Sequence, residues 1–173
     1  MTILLPSQRT TLFSFLLLFT LALPFSTHAS PPSTPRSATV LRVSDGDTIL
    51  VRVGKEEIKV RLYGIDAPES KQPGGAEATA FLEDLLLTEK VIIKTLDVDK
   101  YGREVAEVST IDGCILTSVQ QEMLKKGLVW VYTKYCKADF CGRWKEIEKE
   151  ARRARVGLWK DEGAVEPWVW RKR

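Results

Sequence analysis

TVLRVSDGDTILVRVGKEEIKVRLY, residues 39–63, is the stretch of sequence that decides the fold. Within it, residues 39–43, 48–53 and 57–63 alternate or run apolar and are rich in β-branched side chains, which is typical of strands. Gly54-Lys55 is a natural turn between the last two of these segments. The stretch therefore predicts an opening meander of three strands.

The remainder of the chain adds strands and helices to this meander. Residues 90–96 and 103–109 predict a second strand pair, joined through the turn residues 97–102. Apolar residues at helical spacing predict three helices, whose inward faces are Ala76, Ala80, Phe81 and Leu85; Leu116, Val119, Met123 and Leu124; and Trp144, Ile147, Ala151 and Ala154. Residues 128–132 form a further apolar, strand-like stretch. Five strands with a helix after the third predict a small closed barrel, in an α+β, mainly β fold with about three helices.

Length and composition set limits on the chemistry. A chain of 173 residues with 44% hydrophobic content is long enough for one domain with its own core. The net charge of +3 is by itself too small to indicate nucleic-acid binding. The only histidine, His28, lies in a segment that we expect to be removed. Histidine bases, serine-histidine triads and histidine-bound zinc are then excluded from the mature protein.

The N-terminus has the pattern of an export signal. Arg9 precedes an apolar run over residues 12–25, and Thr27-His28-Ala29 offers small residues for signal peptidase. A membrane anchor is the alternative, but the run is shorter than the roughly 20 residues of a spanning helix. We therefore predict a signal peptide at 1–29, a flexible lead-in at 30–37, and a secreted or periplasmic protein with no anchor after cleavage.

The expected domain covers 38–160 and is followed by a basic and aromatic tail, 161–173. We expect this tail to be a solvated end rather than a phosphate-binding element, because runs of charge are usually solvated. Cys136 and Cys141 lie close together in a polar loop and could form a disulfide in an oxidising compartment. Cys114 would then be left over, and we expect it to be a buried apolar residue.

Two motifs carry most of the charged chemistry: SDGDT at residues 44–48 and RLYGIDAPE at residues 61–69. The first places two aspartates around a glycine, which presents hard oxygen ligands on a tight turn. The second adds two more carboxylates, an arginine and a proline-braced loop. Hard oxygen ligands beside a guanidinium group suit a hard cation that faces a phosphate.

Each of these residues also has an ordinary structural interpretation. Asp45 and Asp47 could simply shape a turn, in which aspartate and glycine are favoured. Arg61 could pair with a neighbouring acid on a strand, Glu69 could cap the following helix, and Arg103 could be an exposed hairpin residue. Their joint presence in one order argues against the structural interpretation.

Together with DKYGR at residues 99–103, the two motifs resemble the thermonuclease (staphylococcal nuclease-like) family over roughly residues 40–159. The resemblance implies an oligonucleotide-binding-type (OB-fold) barrel. It also implies a calcium-dependent phosphodiesterase that cuts DNA and RNA and leaves 3′-phosphates. The family's calcium ligands fall on Asp47, Asp66 and the backbone carbonyl of Ala67, with Asp45 in the outer shell through water, and its catalytic residues fall on Arg61, Glu69 and Arg103.

Elementary chemistry is compatible with these implied roles. Calcium takes about six to eight oxygen ligands, so two carboxylates, a carbonyl, waters and a phosphate oxygen make a plausible shell. Arginines can stabilise a phosphoryl transition state more than its ground state. Without histidine, Glu69 is the best candidate to orient or deprotonate the attacking water.

Departures from the family pattern affect the substrate side. Ala67 stands where the prototype has threonine, and the loop after Glu69 is shorter. Of two prototype tyrosines near the nucleotide, Tyr135 has a match whereas Thr133 replaces the other. Lys100 and Tyr101 remain available for phosphate contact and base stacking.

Two functions from different classes follow. The main hypothesis is a secreted calcium-dependent nuclease that acts on DNA and RNA as a monomer; a specialised periplasmic factor for DNA uptake, transfer or nutrient scavenging would use the same chemistry. The alternative is a catalytically weak OB-fold module that binds nucleic acid or protein. The presence of all five charged side chains, Asp47, Arg61, Asp66, Glu69 and Arg103, favours the enzyme.

Overall fold

The structure is a computed structural model that describes residues 34–173. The predicted signal peptide and most of the lead-in lie outside the described residues. The strands in chain order are β1 (Arg36–Asp45), β2 (Thr48–Val53), β3 (Glu56–Leu62), β4 (Ile65–Asp66), β5 (Lys90–Val98), β6 (Glu104–Asp112), β7 (Ile115–Ser118) and β8 (Trp130–Val131). The first strand begins at Arg36, inside the segment predicted as the lead-in.

A five-stranded barrel organises the molecule. Strands β3, β2, β1, β5 and β6 are neighbours in that order, and β3 pairs with β6 to close the ring. The closing pair is parallel and sets Arg61 beside Val105, whereas the other four pairs are antiparallel. The predicted three-strand meander and the small closed barrel are both confirmed.

Four helices pack around the barrel in the described residues. They are α1 (Gly75–Leu86), α2 (Val119–Lys125), α3 (Cys141–Arg153) and the short α4 (Pro167–Trp170), with a 3₁₀ turn at Gly157–Lys160. Helix α1 packs on β1, while α2 lies between β6 and α3. None of the helices within residues 34–173 is long and apolar enough to cross a membrane.

The core fills the barrel and continues under the helices. Its fully buried apolar residues include Val40, Ile49, Val51, Val60, Ile93, Val108, Leu82, Met123 and Trp144. The polar side chain of Gln120 on α2 is fully buried as well. Its amide donates to the Ala106 carbonyl at 3.0 Å and accepts from the Val108 amide at 3.2 Å, so it fastens α2 to β6. A buried amide is tolerated here because its hydrogen bonds are made.

The structure corrects the predicted inward face of the first helix. Ala78, Leu82 and Leu86 of α1 are buried. Of the predicted face, Phe81 and Leu85 are partly buried against the core, whereas Ala76 and Ala80 are exposed. Both sets recur at helical spacing, so periodicity alone did not distinguish them. The docking of the helix on β1 decided which set is buried.

Two predictions near the β6–β7 turn are also wrong. Leu116 is 59% exposed on β7 and does not belong to the apolar face of α2. This strand pairs with β6 as an added edge strand outside the closed ring, which leaves its side chains accessible. Cys114 lies in the β6–β7 turn beside Gly113 and is exposed rather than buried.

The predicted disulfide between Cys136 and Cys141 is confirmed. Its loop packs on the segment that follows β3. The amides of Lys137 and Ala138 donate to the Tyr63 hydroxyl at 2.8 and 3.1 Å. The cross-linked loop therefore supports the start of the second sequence motif.

Candidate active site

The turn between β1 and β2 supplies the first acids of the site. Asp47 is buried there, and its Oδ2 accepts a hydrogen bond from the Ala67 amide at 2.7 Å. Its Oδ1 accepts from the Thr48 hydroxyl at 3.1 Å, while its own amide donates to Asp45 Oδ1 at 3.1 Å. The first motif is thereby joined to the second, although 20 residues separate Asp47 from Ala67.

Gly46 makes this junction possible. A Cβ atom added at Gly46 would lie 2.7 Å from the Cβ of Ala67 and 2.8 Å from the Cβ of Ala78. Two non-bonded carbon atoms cannot lie this close together. Glycine is therefore needed at this position for the turn to approach the Ala67 loop and α1.

Arg61 bridges the two most buried acids. It lies near the end of β3, and its Nη2 is 2.9 Å from Asp47 Oδ2 and 2.8 Å from Asp66 Oδ1. Asp66 is only 1% exposed and belongs to β4, which pairs with β8. Buried carboxylates need such a partner, because their hydration is lost.

Glu69 lies on the loop between β4 and α1. Its amide donates to the Gln72 side chain at 3.1 Å, and its carbonyl accepts from the Gln72 amide at 2.8 Å. A Cβ added at Gly75 would come within 2.0 Å of the Glu69 carbonyl oxygen, so the start of α1 packs tightly on this loop. The Glu69 side chain is 41% exposed, which leaves it accessible to water and substrate.

An arginine from the C-terminal tail completes this cluster. The Nη2 atom of Arg171 is 2.6 Å from Asp66 Oδ2, and its Nη1 atom is 2.5 Å from Glu69 Oε1. Desolvation lowers the pKa of Arg171, but hydrogen bonds to the two carboxylates and their negative charge outweigh it. The net effect is a pKa above the ordinary value for arginine. Arg171 is exposed, as expected for a solvated end, but that prediction did not include its pairing with Asp66 and Glu69.

The β5–β6 turn holds Arg103, the second arginine of the sequence motifs. Arg103 Nε donates to Asp99 Oδ2 at 2.7 Å, and the amides of Tyr101 and Arg103 donate to Asp99 Oδ1. Burial raises the pKa of Asp99, but these hydrogen bonds from Arg103 and Tyr101 lower it below its usual value. Within residues 34–173, Arg103 makes no ion pair with Asp47, Asp66 or Glu69. Arg103 lies two residues before Val105, and Val105 pairs with Arg61 in the β3–β6 register.

The predicted substrate residues lie on exposed loops. Tyr101 is 72% exposed, and Lys100 Nζ lies 4.9 Å from the centre of its ring. Tyr135 is 55% exposed and meets the ring of Tyr132 edge-on at 4.8 Å. Exposed aromatic faces beside cations are suited to base stacking and phosphate contact.

The surroundings of Asp47 disfavour its negative charge. Burial raises the pKa of Asp47 to about 7; Arg61 opposes this shift, and the charges of Asp45 and Asp66 add to it. A bound cation would stabilise the ionised carboxylates. Since the donors are all oxygen atoms, the residues fit calcium rather than a thiophilic metal.

No set of three or more carboxylate, histidine or cysteine side chains is arranged to hold a metal within the described part of the chain. An ion at this place would therefore depend on backbone and solvent oxygens besides Asp47 and Asp66. The Ala67 backbone, which is already bonded to Asp47 through its amide, lies beside them.

A closed barrel of the oligonucleotide-binding type, with buried acids and arginines gathered at one edge, defines the class of protein. The family model described as "Staphylococcal nuclease homologue" matches residues 59–161. The chain belongs to this family, and it is a phosphodiesterase, a hydrolase of the nuclease type. The predicted family is confirmed.

Three relatives illustrate the similarity. A micrococcal nuclease of Shigella flexneri is 42% identical over 138 residues, which are 77% of this chain and 79% of that protein. An uncharacterized endonuclease of Escherichia coli O157:H7 is 37% identical over 134 residues, covering 78% and 84% of the two chains. Protein ParB of Escherichia coli is 38% identical over 151 residues, covering 83% and 84%.

The structure brings some predicted site residues together and leaves others apart. Asp45, Asp47, Arg61, Asp66 and Ala67 form one connected cluster, and Glu69 joins it through Arg171. Lys100, Tyr101 and Arg103 lie together on the β5–β6 turn, and Tyr135 lies on the loop between β8 and α3; none of them contacts this cluster through an ion pair in the described residues. Sequence reasoning missed Arg171 and Gln72. Pro167 at the first position of α4 was the available signal that the tail is ordered.

Proposed function

We propose that this chain is a secreted or periplasmic, calcium-dependent nuclease that acts as a monomer on DNA and RNA and leaves 3′-phosphate ends. The observation that carries the proposal is Arg61 paired with both Asp47 and Asp66, at the edge where Glu69 is exposed. The names of two relatives, a micrococcal nuclease and an endonuclease, support it.

Calcium would be held by Asp47, Asp66 and the carbonyl of Ala67, with Asp45 acting through a water molecule. When bound, the ion would supply Lewis-acid polarisation of the phosphoryl group. The raised pKa of Asp47 supports a cation site, because a buried carboxylate of this kind is stabilised in its charged form by a nearby positive charge.

The side chains of the protein would do the remaining chemistry. Arg61 and Arg103 would stabilise charge on the phosphoryl oxygens as it develops in the transition state. Glu69 would orient the attacking water and accept its proton, for which its exposed position is suited. Arg103 is held by Asp99 on a turn, so we expect it to meet the phosphate only when substrate is bound.

Substrate would lie across the exposed loops beside the acids. Lys100 would contact phosphate, and Tyr101 and Tyr135 would stack on bases. Stacking on aromatic faces is tolerant of base identity, which is why we expect both DNA and RNA to be accepted.

The test uses purified mature protein with single- and double-stranded DNA and with RNA, in calcium or in a calcium chelator. Arg61→Lys is assayed in parallel, because lysine keeps the charge but cannot span two carboxylates and a phosphate as a guanidinium can. Arg52→Lys, on an exposed residue of β2, is the matched control.

We expect calcium-dependent cleavage with 3′-phosphate products, lost in Arg61→Lys and kept in Arg52→Lys, with both variants folded by circular dichroism. Calcium-independent cleavage would refute the metal assignment. A folded wild-type protein that cleaves no nucleic acid with calcium would refute the proposed activity and favour the binding module.

A further inference from the structure

The C-terminal segment, residues 164–173, reaches the candidate active site although it lies outside the residues that match the family model. Its contact is made by Arg171, which is separated by 105 residues from Asp66 and by 102 from Glu69. One guanidinium group therefore joins a proposed metal ligand to the proposed catalytic glutamate.

Several contacts anchor this segment on the body of the domain. The ring of Trp168 stacks on Tyr132, with centroids 4.8 Å apart and planes 8° from parallel. Gln72 donates through its Nε2 to the Val165 carbonyl at 2.5 Å, while its Oε1 accepts from the Glu69 amide. Gln72 thus ties the Glu69 loop directly to the segment that carries Arg171.

The burial of Asp66 distinguishes the Arg171–Asp66 ion pair from an ordinary surface pair. Exposed ion pairs contribute little, because water screens them and long side chains lose entropy. Asp66 is almost fully buried, and Arg61 binds it from the β3 side while Arg171 binds it on its other oxygen. Asp66 therefore gives Arg171 a fixed position.

The fixed position of Arg171 in turn orients Glu69. In the described part of the chain, its carboxylate accepts a hydrogen bond only from Arg171, through Oε1. The second carboxylate oxygen is left for a water molecule. A half-exposed glutamate without this contact would be free to sample several rotamers.

We propose that Arg171 is a positioning residue of the active site, which holds Glu69 in the orientation needed to direct the attacking water. The inference rests on the proposed function. It adds to that function a third arginine, supplied by the C-terminal segment, that acts through Glu69 and not on the phosphate.

The first test is steady-state cleavage of DNA at saturating calcium by Arg171→Gln and Arg171→Lys. We expect kcat to fall about 10- to 100-fold in Arg171→Gln, the range typical of residues that orient an active-site group, with KM within about threefold of wild type. Arg171→Lys should recover part of the loss, since it keeps the charge but not the two-pronged geometry. Arg173→Ala, which removes an arginine of the same segment that lies over Trp170, should leave kcat unchanged.

The second test asks whether Arg171 acts through Glu69. In the Glu69→Gln background, Arg171→Gln should cause no further loss of kcat. Urea unfolding in a calcium chelator gives a readout without catalysis, and there the two substitutions should be non-additive because the groups are in contact.

Four outcomes separate the ideas. Non-additive loss of kcat and of stability supports the inference. An active wild type with full kcat in Arg171→Gln overturns the inference and leaves the proposed function intact. Faster cleavage or tighter calcium binding by calorimetry in Arg171→Gln, with kcat undiminished, also overturns it, because Arg171 would then be a competing cation. A wild type that does not cleave refutes the proposed function and the catalytic role of Arg171 with it.

Discussion

At the scale of single residues, the candidate site depends on buried ion pairs in which each charge needs its partner. Asp47 and Asp66 are buried, and Arg61 pairs with both through one nitrogen atom. Loss of one partner from a buried pair is costly, by about 3–5 kcal/mol, because a charge is left uncompensated. Glu69 is different because half-exposure lets it be changed with little effect on folding.

Glu69→Gln should therefore separate catalysis from stability. We expect turnover to fall by about 10²- to 10⁴-fold, since the amide cannot accept a proton from water. The free energy of unfolding should change by less than about 1 kcal/mol, as is usual at accessible positions. Glu77→Gln, on the exposed first turn of α1, is the matched control for both cleavage assays and urea titrations. Equal activity in the two variants would remove Glu69 from the mechanism.

Gly46→Ala tests whether the close approach of the β1–β2 turn to Ala67 matters. The added methyl group would collide with Ala67 and Ala78, so we expect about 1–3 kcal/mol of destabilisation from overpacking. Displacement of Asp47 should also weaken calcium binding in calorimetry. Gly142→Ala, where nothing lies within 4 Å, is the control. A Gly46 variant as stable as wild type would contradict the packing argument.

At the scale of elements, the disulfide loop supports the segment that leads into the site. In the loop between β8 and α3, Cys136 packs directly on the backbone of Gly64. Two amides of the same loop donate hydrogen bonds to the Tyr63 hydroxyl. The cross-link limits how far this loop can open in the unfolded chain. Its effect should consequently be on stability rather than on the chemistry of the carboxylates.

Replacement of Cys136 and Cys141 by serine should lower the free energy of unfolding by about 2 kcal/mol, the entropic value for a short closed loop. Urea titration with and without a reductant measures it, because the wild type under reducing conditions should match the variant. Cys114→Ser, at the exposed free thiol, should be neutral. A stability that does not respond to reductant would argue that the cross-link contributes nothing.

At the scale of the whole molecule, a ligand that binds the folded state should stabilise it. Calcium at 100 times its Kd adds about 2.7 kcal/mol, which corresponds to a rise in Tm of roughly 5 to 10 °C for a chain of this size. Differential scanning calorimetry with calcium and with magnesium would measure the shift. Asp66→Asn should abolish it, and Asp84→Asn, on the exposed face of α1, should preserve it. An equal calcium shift in Asp66→Asn would place the ion elsewhere.

Features that depend on neighbours in the chain were predictable from the sequence. Residues 39–63 predicted three strands because alternation of apolar and polar side chains reports which face of a strand is buried. The acids and arginines of the candidate site were predicted from the resemblance to the family's motifs, whose order and spacing are local to two turns and one strand end. The disulfide was a possibility because Cys136 and Cys141 lie close together in the chain of a protein expected in an oxidising compartment, and the structure forms it.

Only the tertiary structure decided the features that depend on residues distant in the chain. The buried face of α1 was set by docking on β1, and Leu116 joined a strand because β6 offered it a free edge. Arg171 reaches Asp66 and Glu69 across more than 100 residues, a contact that no local pattern encodes. The sequence by itself determined the barrel and the residue types of the candidate site. Packing determined which of these side chains meet, because hydrophobic burial and ion pairing act on distance in space and not on separation along the chain.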